Sequence, residues 1–190
     1  MNNIFMIRFF DIIFSVIIVL FLLPLLIIVV FFQIIIDGKP IFFKHKRVGI
    51  KENEFYLYKF RSMKINQNLS NNNFRTEFND PRITSFGKII RKYSIDELPQ
   101  LFNVIIGEMS LVGPRPDTIM QKNEYPIEVW NRRVSVKPGL TGLAQVNGRS
   151  ELNFKERYNY DIEWVNNKSN ILYIIILIKT FFVFFKNSNY

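Results

Sequence analysis

The chain has 190 residues, with 25 Lys and Arg against 16 Asp and Glu, a single His and no Cys, for a formal net charge of +9. That length fits one soluble domain plus a membrane segment. The lack of Cys excludes disulfides and thiolate metal sites and fits a cytoplasmic catalytic face.

In chain order, the first predicted element is an apolar segment from about Phe5 to Ile36. From Ile12 to Ile36 it carries no charge over roughly 25 residues, enough to cross a hydrocarbon core as a helix. It lacks a small-residue cleavage site and exceeds a signal-peptide apolar core, so it is expected to be retained. Pro24 near its middle removes a helical hydrogen bond and predicts a kink. Basic residues flank both sides, Arg8 before it and Lys39 onward after it. A kinked hairpin would return both flanks to one face, and a straight span would separate them. The physics of the segment alone favours the span, because spanning helices tolerate proline.

Lys39, Lys44, Lys46, Arg47, Lys51, Lys59, Arg61 and Lys64 cluster after the apolar run. Such a cluster fits a membrane flank held against anionic lipid, or that flank plus an anionic substrate. No nucleic-acid motif accompanies it, so nucleic acid is not an expected partner. Aromatic and basic residues alternate from Pro40 to Met63. Phe42-Phe43, Phe55-Tyr56 and Tyr58 predict short strands, with Gly49 in the turn. The stretch from Lys64 to Phe78, with Gln67 to Asn73 at its centre, is polar and aperiodic and reads as a mobile loop. His45 reads as a surface residue, which argues against His-based acid–base or metal chemistry.

Next comes Ser94-Ile95-Asp96-Glu97-Leu98-Pro99-Gln100. Leu98, Leu101, Phe102 and Ile105 recur at helical spacing, and Gly107 is a plausible stop. Pro99 is best tolerated in a first helical turn, which puts Asp96 and Glu97 at the helix start. Free N–H groups and the helix dipole favour negative charge there, so Asp96 is expected to be ionised at neutral pH. The competing reading is a capping box, Ser94 followed three residues later by Glu97. Pro99 argues against it, because Ser94 would leave the proline too deep in the helix.

Arg115 lies between Pro114 and Pro116. A guanidinium pre-set in this way can grip phosphate oxygens in bidentate geometry. In the stretch from Lys137 to Arg149, glycines permit close backbone approach to a ligand, and Lys137 and Arg149 can pair with anions. The tail predicts a helix over Phe154–Val165. A second apolar stretch, Ile171–Phe185, is broken by Lys179 and is short for a span, so it is expected at the interface or packed on the body.

Lys46-Arg47-Val48-Gly49, Tyr58-Lys59-Phe60-Arg61-Ser62-Met63, Asp80-Pro81-Arg82-Ile83-Thr84, Phe86-Gly87, Arg91-Lys92, Asp96-Glu97-Leu98-Pro99-Gln100, Ser110 to Pro116 and Lys137 to Gly142 follow in this order. Together they closely resemble the bacterial sugar transferase family, the small monotopic polyprenyl-phosphate phosphoglycosyl transferases. The resemblance runs through nearly the whole chain. It implies a helix-rich α/β body with a small sheet and an N-terminal re-entrant membrane helix kinked at Pro24. The implied organisation is an anchor over 1–38, a catalytic core over 39–150 and a helical, interfacial tail over 151–190.

It also implies a reaction at the cytoplasmic face of the bacterial inner membrane. Sugar-1-phosphate passes from a UDP-sugar to undecaprenyl phosphate, and UMP leaves. By this resemblance Asp96 is the nucleophile that forms an aspartyl-phosphosugar intermediate, and Glu97 helps bind Mg²⁺. Arg115 sits at the phosphate site, and Lys59 and Arg91 surround the substrate. Two positions depart from the family pattern. Leu23 precedes Pro24 where relatives often have Ser, and Tyr173 stands near a position where they commonly have Asp. The second departure predicts changed tail packing with catalysis intact. A membrane-bound adaptor that keeps the fold without the activity is the alternative reading.

Overall fold

The computed structural model describes residues 2–65, 80–148 and 151–186. The predicted polar loop centred on Gln67–Asn73, and Arg149, lie outside the described residues.

Helix α1 runs from Asn2 to Ile36, with Pro24 inside it. A helix of that length extends about 50 Å. Both of its halves pack on the rest of the protein. Ile7 is buried, and Phe10, Phe14 and Ile18 pack beside it, against Leu101, Val104, Met109, Tyr173 and Ile176. Val29 is buried with Phe60, Phe86 and Ile90, and Leu25, Leu26 and Val30 flank it. Between the two docked ends, Leu20, Phe21 and Leu23 are 65%, 82% and 46% exposed. They belong to an exposed apolar face that also includes Ile17, Ile27, Ile28, Phe31 and Ile35.

Strands β1 (Phe42–Val48) and β2 (Glu54–Phe60) pair antiparallel, from Phe42 opposite Phe60 to Val48 opposite Glu54. The predicted hairpin is present, with Gly49 in its connection. Helix α2 (Ser85–Lys92) begins at Thr84, whose side chain accepts a hydrogen bond from the Gly87 N–H at 2.8 Å.

Helix α3 (Gln100–Ile106) follows a short 3₁₀ turn at Ile95–Glu97 and ends at Gly107, which is left-handed at φ 96 as the sequence predicts. Its buried face is Leu101 and Val104, each contributing roughly 1.5–3 kcal/mol by leaving water. Phe102, expected on that face, is 50% exposed. The polar Asn103 takes the inward place instead. It is fully buried; its amide donates to the Tyr56 carbonyl at 2.8 Å, and its carbonyl accepts from the Tyr58 N–H at 3.2 Å. This bracket sets the register of α3 on β2. At the other end of α3, Arg8 of α1 donates to the carbonyls of Val104 and Ile105 at 2.5 and 2.7 Å. These are carbonyls that a helix terminus leaves without partners.

Strands β3 (Ser110–Val112) and β4 (Gly139–Thr141) pair in parallel. Helix α6 (Phe154–Asn167) packs on α4 (Ile127–Arg133) and α5 (Leu143–Asn147), and α7 (Asn170–Lys186) covers α5, α1, β3 and β4. Gly139 and Gly142, expected to approach a ligand, approach the backbone of Gly113 instead. A Cβ on Gly139 would lie 2.0 Å from the Gly113 nitrogen. Tyr173 of α7 is fully buried and donates to Asp11 of α1 at 2.7 Å. Asp11 also accepts from the Ser110 hydroxyl and the Leu111 N–H. The tail is thereby tied to the first helix through one buried carboxylate.

Candidate active site

Four segments converge on the Asp96-Glu97 pair. Ser94 is left-handed at φ 50 and its side chain makes no capping bond, so the capping-box reading does not hold. Its carbonyl accepts from the Glu97 N–H at 3.2 Å and the Ile95 carbonyl accepts from Leu98 at 3.1 Å. Pro99 then occupies the N-cap of α3. The two carboxylates therefore belong to a tight turn just before the helix rather than to its first turn.

Glu97 is held by two cations. Lys59 of β2 donates to it at 2.7 Å. Arg115, from the loop after β3, grips both carboxylate oxygens at 2.6 and 3.3 Å. Burial opposes the charge on Glu97, but Arg115 and Lys59 outweigh it and hold its carboxyl well below the usual carboxylate range. Arg115, expected to be open for phosphate, is bidentate on a carboxylate of the protein.

Asp96 differs from its neighbour. It is 7% exposed, and its carboxylate has no hydrogen-bond partner among the described residues. Burial, and then the charge of Glu97, push its pKa up to about 6, against the attraction of Lys59, Arg91 and Arg115. The expectation of ionisation at neutral pH holds, but the cause differs. The helix dipole does not lower this group; its surroundings raise it, and it stays ionised at pH 7 by a narrow margin. Arg91 lies on α2, with its Nη1 3.5 Å from the Ser62 hydroxyl.

Three features escaped the sequence reading. Arg47 lies on the rim of the site, donating to the Pro116 carbonyl at 3.3 Å. Burial and the proximity of Arg115 push its pKa down. His45 is half-buried, not on the surface, and burial with Arg47 and Lys59 nearby lowers its pKa. Strand alternation places it with Arg47 on one face, a signal that was available in the sequence. The third is Arg133 of α4, which is 6% exposed. It donates to Asp117 at 2.6 Å, to Asp161, and to the Arg115 carbonyl at 3.0 Å, and stacks over the Tyr125 ring at 4.7 Å. It thus fixes the backbone that presents Arg115. Lys137, expected to meet anions, sits beside Arg8, and burial first and then that charge lower its pKa.

Among the described residues no three or more His, Cys, Asp or Glu side chains gather as a metal site. Mg²⁺ generally takes only one or two carboxylates, completed by water and substrate phosphates. The adjacent Asp96 and Glu97 match that number of carboxylates, and Glu97 would hold such an ion only in exchange for one of its cationic partners. An ionised, unbonded carboxylate beside a cluster of cations can attack an anionic phosphorus centre and have the developing charge stabilised.

The family model described as "Bacterial sugar transferase" matches residues 2–187. A UDP-glucose:undecaprenyl-phosphate glucose-1-phosphate transferase of Xanthomonas campestris pv. campestris is 43% identical over 148 residues, covering 74% of this chain and 31% of that protein. An undecaprenyl-phosphate galactose phosphotransferase of Salmonella typhimurium is 42% identical over 187 residues, covering 91% of this chain and 39% of that protein. The exopolysaccharide production protein ExoY of Sinorhizobium fredii is 35% identical over 189 residues, covering 91% and 82%. The chain thus spans roughly a third of the length of the first two relatives.

Proposed function

Because this chain belongs to the bacterial sugar transferase family, we propose that it transfers a sugar-1-phosphate from a UDP-sugar to a polyprenyl phosphate such as undecaprenyl phosphate. The observation that carries this reading is Asp96, buried, without a side-chain hydrogen bond among the described residues and with its pKa pushed up to about 6, beside a Glu97 neutralised by Lys59 and Arg115.

In the first step a carboxylate oxygen of Asp96 attacks the phosphorus that bears the sugar. The bond from that phosphorus to the oxygen of UMP breaks, and UMP leaves with the electron pair. In the second step a phosphate oxygen of the acceptor lipid attacks the same phosphorus. The bond to Asp96 breaks and the carboxylate is restored. Dividing the transfer in this way lets one site serve a soluble donor and a bilayer-borne acceptor in turn. Such chemistry rests mainly on positioning and charge neutralisation. Arg115 and Lys59 bind the diphosphate oxygens once they leave Glu97, and Arg91 keeps Asp96 ionised. On the same reading Arg149 also binds phosphate. Mg²⁺ held by Glu97 would offset diphosphate charge.

The reading places the catalytic body on the cytoplasmic face of the inner membrane, with α1 as a re-entrant anchor bent at Pro24. Its support is the docking of both halves of α1 on one body, with Leu20, Phe21 and Leu23 left exposed between them. A straight span would carry one half away from that body.

The test is UMP release from UDP-glucose, UDP-galactose and N-acetylated UDP-sugars by protein solubilised with undecaprenyl phosphate and Mg²⁺. One donor is expected to release UMP, and Asp96→Asn to abolish it. Equal release by the Asn variant would refute the nucleophile assignment.

A further inference from the structure

Where α1 ends, Asp37, Arg61, Lys64 and Thr84 line a cleft of about 480 Å³ outside the candidate active site. Ile36 and Ile65 contribute to its wall and are 54% and 58% exposed. The cleft therefore opens at the level where the apolar helix gives way to the polar body. It combines apolar walls with a cationic lining, the two halves of an amphiphile with a charged head.

Arg61 is 8% exposed. Its Nη2 donates to the carbonyls of Asp37 and Gly38 at 2.6 Å each, which ties it to the end of α1. The guanidinium is thereby fixed in the wall of the cleft, where its charge can act on an anion bound there. Lys64 adds a second positive charge. Asp37, whose carboxylate accepts from the Thr84 hydroxyl at 2.9 Å, is the one acid among the described lining residues. The described lining residues thus carry two cations and one anion, a net attraction for a phosphate.

A row of cations links the cleft to the nucleophile. Arg61 follows Lys59 by two residues, about 7 Å along an extended strand, and its N–H continues the ladder to the Ile41 carbonyl. The next residue, Ser62, faces Arg91, whose charge acts on Asp96. Cations thus run from the end of α1 to the reacting carboxylate.

The geometry points to this cleft as the docking site for the phosphate of the acceptor lipid, occupied before that phosphate reaches Asp96; the assignment rests on the phosphotransfer reading above. The second step needs such a site and the first does not, so the two half-reactions separate the proposal from the reading.

The experiment uses the full chain in phosphatidylcholine vesicles with undecaprenyl phosphate and whichever of UDP-glucose or UDP-galactose supports turnover. Lys64→Glu is expected to raise the acceptor KM by about tenfold, while Asp37→Asn lowers it by roughly twofold to fivefold and keeps an acceptor for Thr84. Neither change should alter the donor KM or the burst of UMP released without acceptor. Shifts in the acceptor KM below about twofold, or equal shifts in both KM values, would overturn the proposal. So would loss of binding to phosphatidylglycerol vesicles by Lys64→Glu with an unchanged acceptor KM, which would assign the cleft to bulk phospholipid headgroups. If the unmodified protein gives no burst and no turnover with any donor, the phosphotransfer reading fails and takes the proposal with it.

Discussion

Two arginine–carboxylate clusters lie next to each other along the Pro114–Asp117 loop and use the same chemical groups to different ends. Arg133 is buried between Asp117 and Asp161, over the Tyr125 ring, with side-chain exposures of 5%, 15% and 3% for the three charged groups. Arg115 grips Glu97 at side-chain exposures of 47% and 20%, and the carboxylate of Asp96 stands unbonded beside them. The first cluster is closed, and every charge in it has its partner. The second is open, and its charges have partners they can exchange. Burial and completeness of hydrogen bonding, rather than residue type, separate scaffold from reacting group.

Replacing the unbonded carboxylate should give the largest effect. Asp96→Asn is expected to lower UMP release by at least about 10³-fold. It should not destabilise the fold. A carboxyl raised from 3.8 to about 6 contributes stability when protonated, and that contribution is lost as pH rises through 6. The Asn variant should therefore unfold at about 1–3 kcal/mol higher free energy than the parent at pH 8, with no gain below about pH 4. Denaturant titrations at the two pH values measure this, and a less stable variant at pH 8 would contradict the geometry of the open cluster.

The closed cluster should answer in the opposite manner. Arg133→Ala leaves two buried carboxylates without their cation and should cost about 3–5 kcal/mol of stability. Arg115→Ala should change stability by less than about 1 kcal/mol, as exposed pairs do, while reducing turnover by about 10²-fold. Thermal unfolding and initial rates on both variants sharpen the contrast. Equal stability losses would erase it.

The pH profile is a smaller, graded test. The first half-reaction needs ionised Asp96, so its rate should rise nearly tenfold per pH unit below about 6 and level off above 7. A burst rate flat from pH 5 to 8 would exclude Asp96 as the titrating nucleophile. The smallest expected effect lies far from both clusters. Tyr173→Phe removes one buried hydrogen bond to Asp11, for a loss of about 0.5–1.5 kcal/mol, with catalytic rates unchanged.

Local pattern carried much of this protein. The apolar length of α1, the alternating residues of β1 and β2 and the stop at Gly107 were each legible because each depends on neighbours a few residues away. The Asp96-Glu97 pair was legible as a pair. Its electrostatics were not, because the raised pKa of Asp96 comes from burial, and the lowered one of Glu97 from residues 38 positions before and 18 after it. His45 was misjudged for the same reason: its half-buried place depends on how the hairpin lies over the site.

By itself, then, the sequence determined where the apolar helix, the hairpin and the paired carboxylates lie. Only the tertiary structure decided that Asn103 brackets β2, that Arg8 caps α3 from 96 residues away and that Tyr173 closes on Asp11 across 162. The physical reason is common to all three. A buried polar group must find a partner, and chain topology rather than local spacing determines which partner is within reach.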